Sequence, residues 1–305
     1  MYLQQSNSTS NLEKAHADNR KKRMTNSNVY TPSRLGIATK AVFSELDKLL
    51  PSQLVQTLFS VSFGFYRMMI RVLYLRFWLW ALITGNERDR TRAASVFKVM
   101  PHSLVGWSGL EATYDAVLAT HERGMSGSIV ECGVARGGSA ALMALNEART
   151  GSNRKIWLFD SYEGLPEPSV EDLQGNETGK HIRPLPKGSC LGTIEQVSEL
   201  LFDTLRLDRN NIKLVKGWFE NTLPVNRTSV GTISVLRIDA DWYDSVKCCL
   251  DQLYDQVEPG GYVIIDDYGS CFGAQKAVDE FLAARQLSVE LVADGRGGCD
   301  FVKPG

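Results

Sequence analysis

Residues 127–149 read GSIVECGVARGGSAALMALNEAR. A short apolar run ends at Glu131, glycines fall at 133, 137 and 138, and small and apolar residues then continue at helical spacing. That order predicts a strand, a tight turn and a helix. Glycines in the turn let the backbone approach a ligand closely, and Ser139 stands where it could cap the helix. The spacing is not GxGxxG, so the turn is equally compatible with a nucleoside-type cofactor and with a tight turn and nothing more.

Further along the chain the same alternation recurs. Strands are expected at 155–161, 211–217, 234–239, 261–267, 287–293 and 299–304, making seven with 127–133. Amphipathic helices are expected between them, in TIEQVSELLFDTLRL, SVKCCLDQLYDQV and AQKAVDEFLAARQ. Strand and helix in alternation predict an α/β fold, a doubly wound and mainly parallel sheet. The last two strands are separated only by 294–298, too short for a crossover helix, so they must pair antiparallel. A seven-stranded, mainly parallel sheet with an antiparallel last strand is the Rossmann-like class I methyltransferase variant of this fold. Residues 162–191 hold four prolines and no hydrophobic period, and read as a long loop over the strand ends where ligands bind.

Acidic residues gather at those strand ends. Glu131, ending the first strand, suits the cationic methionyl part of S-adenosylmethionine, where a pyrophosphate would be repelled. Asp160, ending the second, is placed to accept hydrogen bonds from ribose hydroxyls. Asp239 and Asp241 flank the end of the fourth strand, and Asp266 and Asp267 end the fifth. Four carboxylates converging on one crevice repel unless a cation compensates them. An all-oxygen cluster without His or Cys suits Mg²⁺ or another hard divalent ion, so Asp239, Asp266 and Asp267 are the expected metal ligands. Asp241, two residues from a ligand, is the expected base, and His181 in the long loop is the competing one. Asp244 is read as a simple helix cap.

With 43% apolar and 23% charged residues among 305, the composition excludes disorder throughout. Residues 1–34 carry six basic side chains against Glu13 and Asp18, while the whole chain is at −1, so the remainder is acidic. Residues 1–35 are expected to be a basic disordered tail, 36–100 a helical extension, and 101–305 the methyltransferase domain. No aromatic interleaving accompanies the basic residues, which argues against nucleic acid. The six cysteines form no CxxC pair and are read as reduced thiols of a cytoplasmic protein.

Residues 54–84 are the most apolar run, interrupted by Arg67, Arg71 and Arg76. A span wants about 20 apolar residues without central charges, so crossing is not expected. Two readings fit: a helix buried against the main domain or a dimer partner, and an interfacial helix on the inner membrane surface with snorkelling arginines.

The segments SGSIVECGVARGGSAALM, IWLFDSYEGLPEP, IKLVKGWFENTLP, LRIDADWYDSV and PGGYVIIDDYGSCFGAQKAVDEF resemble the macrocin O-methyltransferase (TylF-type) family over about residues 100–303. The resemblance implies S-adenosylmethionine and a divalent metal, with a sugar hydroxyl as acceptor. It implies Asp239, Asp266 and Asp267 as metal ligands and Asp241 as base. Glu131, Gly133, Gly137, Ser139 and Asp160 belong by it to the cofactor pocket, with Trp218 near the adenine. Asp244 stands where the family usually has Glu, and Ala135 where it often has Trp. In related enzymes the amino-terminal helices cover the acceptor and mediate dimer contacts, so a homodimer is expected. A catechol-like or other small hydroxylated acceptor, and a non-catalytic membrane-associated member of the fold, remain as alternatives.

Overall fold

The computed structural model describes residues 52–174, 181–182 and 184–305. The chain divides into two compact units, one of them Thr31–Pro101 and the other containing His102–Gly305. The expected tail at 1–35 lies outside the described residues.

In the smaller unit, helix α1 (Ser52–Thr84) is followed after Gly85 and Asn86 by α2 (Glu87–Val99). The Asn86 side chain accepts the Asp89 N–H at 2.9 Å, and Glu87 and Asp89 in the first turn complement the helix dipole. The two helices join where Trp78 stacks on Phe97, with ring centroids 5.1 Å apart, and the Arg71 guanidinium lies 4.7 Å over the same Phe97 ring. Tyr74 and Ala81 of α1 are buried, as are Ala93, Val96 and Val99 of α2. No helix among the described residues is long and apolar enough to cross a membrane.

The larger unit opens with α3 (Trp107–Glu122), β1 (Ser128–Cys132), α4 (Gly138–Thr150) and β2 (Ile156–Asp160). A single-turn α5 (Val170–Leu173), α6 (Ile194–Ser198), β3 (Ile212–Lys216), α7 (Phe219–Val230) and β4 (Ile233–Ile238) follow. The chain ends with α8 (Tyr243–Leu253), β5 (Val257–Ile265), α9 (Phe272–Ala284), β6 (Val292–Ala293) and β7 (Cys299–Val302). The strand order is β3-β2-β1-β4-β5-β7-β6. β1 to β5 pair parallel, and β7 pairs antiparallel with both β5 and β6.

Every residue of β1 and β4 is buried, as parallel strands covered on both faces require. Alternation then sorts the side chains. Val130, Cys132, Leu236, Ile238, Val263 and Ile265 join one core cluster with Val246, Leu250, Ala274 and Phe281 of α8 and α9. Glu131 and Arg237 are register partners and belong to the opposite set. The winding direction reverses between β1 and β4, so a crevice opens above their carboxyl ends.

Three elements differ from the sequence reading. Of 287–293 only Val292 and Ala293 pair, because this edge strand has only the short β7 as a partner. The helix expected through 194–207 is α6 continued by a π-turn at Glu199–Thr204, where the Leu205 N–H reaches back to the Leu200 carbonyl. The wider turn lets both Leu200 and Leu201 be buried. The 162–191 loop contains α5, closed by a capping box between Ser169 and Asp172.

Candidate active site

The carboxyl ends of β1, β2, β4 and β5 bring the expected acidic residues together. Asp239, Asp266 and Asp267 each offer an oxygen, all within 4.8 Å of one another. Asp241, Asp267 and Cys271 form a second group of the same compactness, with Cys271 Sγ 3.9 Å from Asp241 Oδ1. Asp267 belongs to both groups, and its Oδ2 is buried with no hydrogen-bond partner among the described residues.

Asp239 sits where it does because of Gly133. A Cβ on Gly133, whose φ is 88°, would fall 1.7 Å from the Asp239 carbonyl oxygen. The bare turn lets β4 close on β1, and the Asp239 N–H donates to the Cys132 carbonyl at 2.8 Å. Asp241 adopts a left-handed backbone, φ 55°, which Asp tolerates better than most residues.

Packing like charges has a titration consequence. Burial pushes Asp241 up to about 8, helped by Asp239 and Asp266. Burial, again with help from neighbouring aspartates, holds Asp239 and Asp267 well above the usual carboxylate range.

One cation stands among them that the sequence reading passed over. Arg237 is fully buried, with Nη2 2.6 Å from Asp266 Oδ1, Nη1 3.1 Å from Asp239 Oδ2 and Nε 3.7 Å from Glu131 Oε1. Compensation of the carboxylates was expected from an external cation alone, and part of it is built into β4. The signal was legible: a buried strand reading VLRID carries an arginine that must find acids.

Glu131 is fully buried, and neither of its oxygens has a hydrogen-bond partner of good geometry among the described residues. Burial raises its carboxyl to about 7, against the pull of Arg237 and of the Ser139 hydroxyl. Ser139 does not cap α4: the cap position is Gly137, φ 84°, and Ser139 lies inside the first turn, buried beside Glu131.

Asp160 works on the turn itself. Its Oδ2 accepts the N–H groups of Val134 and Ala135 at 2.7 and 2.9 Å, and its Oδ1 accepts that of Tyr162 at 2.5 Å. It therefore fixes the glycine turn, and a ribose would share oxygens already engaged. Trp218 ends the β3 side as the residue before α7. Tyr162, buried and without a partner for its hydroxyl among the described residues, lies near Asp160 and Glu131 and had drawn no attention in the sequence.

Two further expectations are corrected. Asp244 caps nothing: it is an exposed residue in the first turn of α8, and the α8 N-terminus is capped by Asp172, whose Oδ1 accepts the Tyr243 N–H at 2.8 Å. His181, the competing base of the sequence reading, is not an exposed loop residue. It is nearly buried, its Nε2 2.8 Å from Gln275 Oε1 and its ring edge-on to Phe272 of α9. The loop does reach the cluster through Cys190, whose thiol burial raises to about 12 with Asp241, Asp239 and Asp267 adding to the effect.

Sheet order, glycine turn and strand-end acids together define a class I methyltransferase. Residues 78–297 match the family model described as macrocin-O-methyltransferase (TylF), and the chain belongs to that family. It is an S-adenosylmethionine-dependent O-methyltransferase. Demethyldecarbamoylnovobiocin O-methyltransferase of Streptomyces niveus is 33% identical over 198 residues, 65% of this chain and 74% of its own. Mycinamicin III 3''-O-methyltransferase of Micromonospora griseorubida is 27% identical over 204 residues, 66% of this chain and 78% of its own. The solved O-methyltransferase NovP superposes with a TM-score of 0.59 at 30% identity, covering 67% of this chain and 83% of that one. The calicheamicin methyltransferase CalS11, at 15% identity and a TM-score of 0.52 over 90% of this chain and 95% of its own, shares the fold.

Proposed function

We propose that the protein transfers a methyl group from S-adenosylmethionine to a hydroxyl of a sugar moiety on a glycan, glycolipid or glycosylated natural product, with a divalent cation at Asp239, Asp266 and Asp267. The observation that carries this reading is the convergence of those three carboxylate oxygens within 4.8 Å. The donor set fits a hard ion: all oxygen, strongly anionic, and including the unpartnered Asp267 Oδ2. When bound, such an ion lowers the pKa of an aliphatic hydroxyl and orients it toward the methyl group.

The remaining work falls to the chain. Asp241, two residues from Asp239 and held by burial above the usual carboxylate range, accepts the acceptor's proton. Glu131 receives the methionyl ammonium with its two unpartnered oxygens. Asp160 holds the Gly133 turn in shape and shares its oxygens with the ribose, while Trp218 borders the adenine. A sugar acceptor is supported by a relative whose name includes one, the 8-demethyl-8-(2,3-dimethoxy-alpha-L-rhamnosyl)-tetracenomycin-C 4'-O-methyltransferase of Streptomyces olivaceus, 34% identical over 169 residues, 55% of this chain and 62% of its own.

Transfer from labelled S-adenosylmethionine to a panel of glycosides, with and without chelator, tests the reading. Metal-restored methylation of a glycoside supports it. Transfer only to catechols or other small hydroxylated compounds moves the acceptor class, and no transfer despite donor binding makes the protein a non-catalytic member.

We also propose that the helical region 36–100 is a functional part separate from the domain 101–305, serving an anionic membrane surface. Met68, Val72, Leu79, Trp80 and Ile83 of α1 are exposed, and the only charged residues of that helix are Arg67, Arg71 and Arg76. A helix with exposed apolar residues and only positively charged ones besides suits an anionic lipid interface, and a lipid-linked acceptor would be met there. Flotation of the full chain with anionic liposomes, lost in L79E/I83E, supports this. Flotation unchanged by the double substitution, or concentration-dependent dimerisation that the substitution abolishes, overturns it in favour of no lipid role or a homodimer face.

A further inference from the structure

The mechanism leaves the buried Arg237, at the centre of the strand-end carboxylates, without a task. Arg237 has no solvent exposure, and three carboxylates from three strands stand around it. Its two terminal nitrogens divide between Asp239 and Asp266, each taking one oxygen and leaving the other uncommitted. Its Nε, with no hydrogen-bond partner among the described residues, lies 3.7 Å from Glu131 Oε1, whose carboxylate likewise lacks a partner of good geometry there. The register of β1 against β4 sets Glu131 and Arg237 side by side, so this arrangement belongs to the sheet and not to a mobile loop.

We propose that Arg237 is a positioning residue shared by two ligand sites: its fork orients Asp239 and Asp266 toward a divalent cation with Asp267, and its Nε side orients Glu131 toward the methyl donor. A planar guanidinium does this where an ammonium does not, because it presents donors along fixed directions in one plane. Groups that orient ligands in this way typically change metal affinity about 10- to 100-fold when replaced. The inference rests on the ion and donor seats proposed above.

The test compares unaltered protein with R237K and R237Q, each checked for fold by circular dichroism. Mn²⁺ binding is followed by electron paramagnetic resonance, and S-adenosylhomocysteine binding by calorimetry in metal-free buffer. The expected result is that R237K, although it keeps the charge, weakens both ligands about tenfold or more, and R237Q weakens them further. Folded R237K with either affinity unchanged overturns the proposal. If the unaltered protein binds neither Mn²⁺ nor S-adenosylhomocysteine, the functional reading fails instead, which separates the two failures.

Should neither variant fold, arginine side-chain ¹⁵N resonances of the unaltered protein decide the matter. Among the described residues two guanidinium groups, those of Arg237 and Arg154, are deeply buried, and Arg154 is held by Glu147, Thr120 and Ser234, away from the carboxylate cluster. One protected set that shifts on adding Mg²⁺ and again on adding S-adenosylhomocysteine, with the other still, supports the proposal. Two unmoved sets overturn it.

Discussion

Gly133 presses its α-carbon against the main-chain carbonyl of Asp239, so closely that a methyl group there would lie 1.7 Å from the oxygen. The turn beside the proposed donor seat and the first carboxylate of the proposed cation seat are thus set by one backbone contact between the ends of β1 and β4. A change at either residue is felt at both seats.

Gly133→Ala is therefore expected to fail as a folded enzyme, through both the clash and the positive φ of 88°. Gly151→Ala is the control: its φ is 66°, but nothing lies within 4 Å of the added carbon, so its cost is limited to about 1 kcal/mol of backbone strain. Thermal unfolding of the two variants checks the contrast.

Of the three proposed cation ligands Asp239, Asp266 and Asp267, only Asp267 is not ion-paired with Arg237, and Asp267→Asn should abolish Mn²⁺ binding while leaving the fold intact. Chelation of the unaltered protein should reproduce the loss of activity, reversed by added Mg²⁺. Calorimetry and a chelator titration measure both.

Asp241→Asn should lower kcat by roughly 10²- to 10⁴-fold, the usual worth of a positioned base, with donor affinity unchanged. A variant that retains full kcat removes Asp241 from the chemistry and returns attention to the loop.

Donor affinity should depend on pH through Glu131. Burial raises its carboxyl to about 7 in the protein without donor, and only the ionised form attracts a cationic ligand. Binding is then strongest above pH 7 and weakens about tenfold per unit below it, with a proton released on binding near neutrality. Glu131→Gln should bind more weakly at pH 8 and lose this dependence. Calorimetry in buffers of different ionisation enthalpy reads the proton directly.

Asp160→Ala should weaken donor binding through the turn. It strips the acceptor from the N–H groups of Val134, Ala135 and Tyr162, and leaving buried donors unpaired costs about 1–3 kcal/mol each where water does not replace the carboxylate. Amide hydrogen exchange at 133–137 should rise in this variant while the sheet core stays protected.

Much of this protein was legible in the chain itself. Apolar runs ending in Glu131, Asp160, Asp239 and Asp266 state both strand and strand end, because a parallel strand buried on both faces must be apolar until it meets the crevice. The five-residue link at 294–298 dictates an antiparallel ending, since no crossover fits in it. Local chemistry was less reliable. Asp244 and Ser139 looked like caps by position, but capping depends on which side chain reaches the free N–H groups, and at α8 that is Asp172, brought from more than seventy positions away by the loop.

The sequence by itself determined the fold, the strand ends and the acidic residues gathered there, since these follow from periodicity and from the cost of burying a charge. Only the tertiary structure decided which charges meet. Arg237 is one letter within a hydrophobic strand, and its three carboxylate partners come from β1, the end of β4 and the end of β5. Strand order and register, which are properties of the folded sheet, set those partners around it.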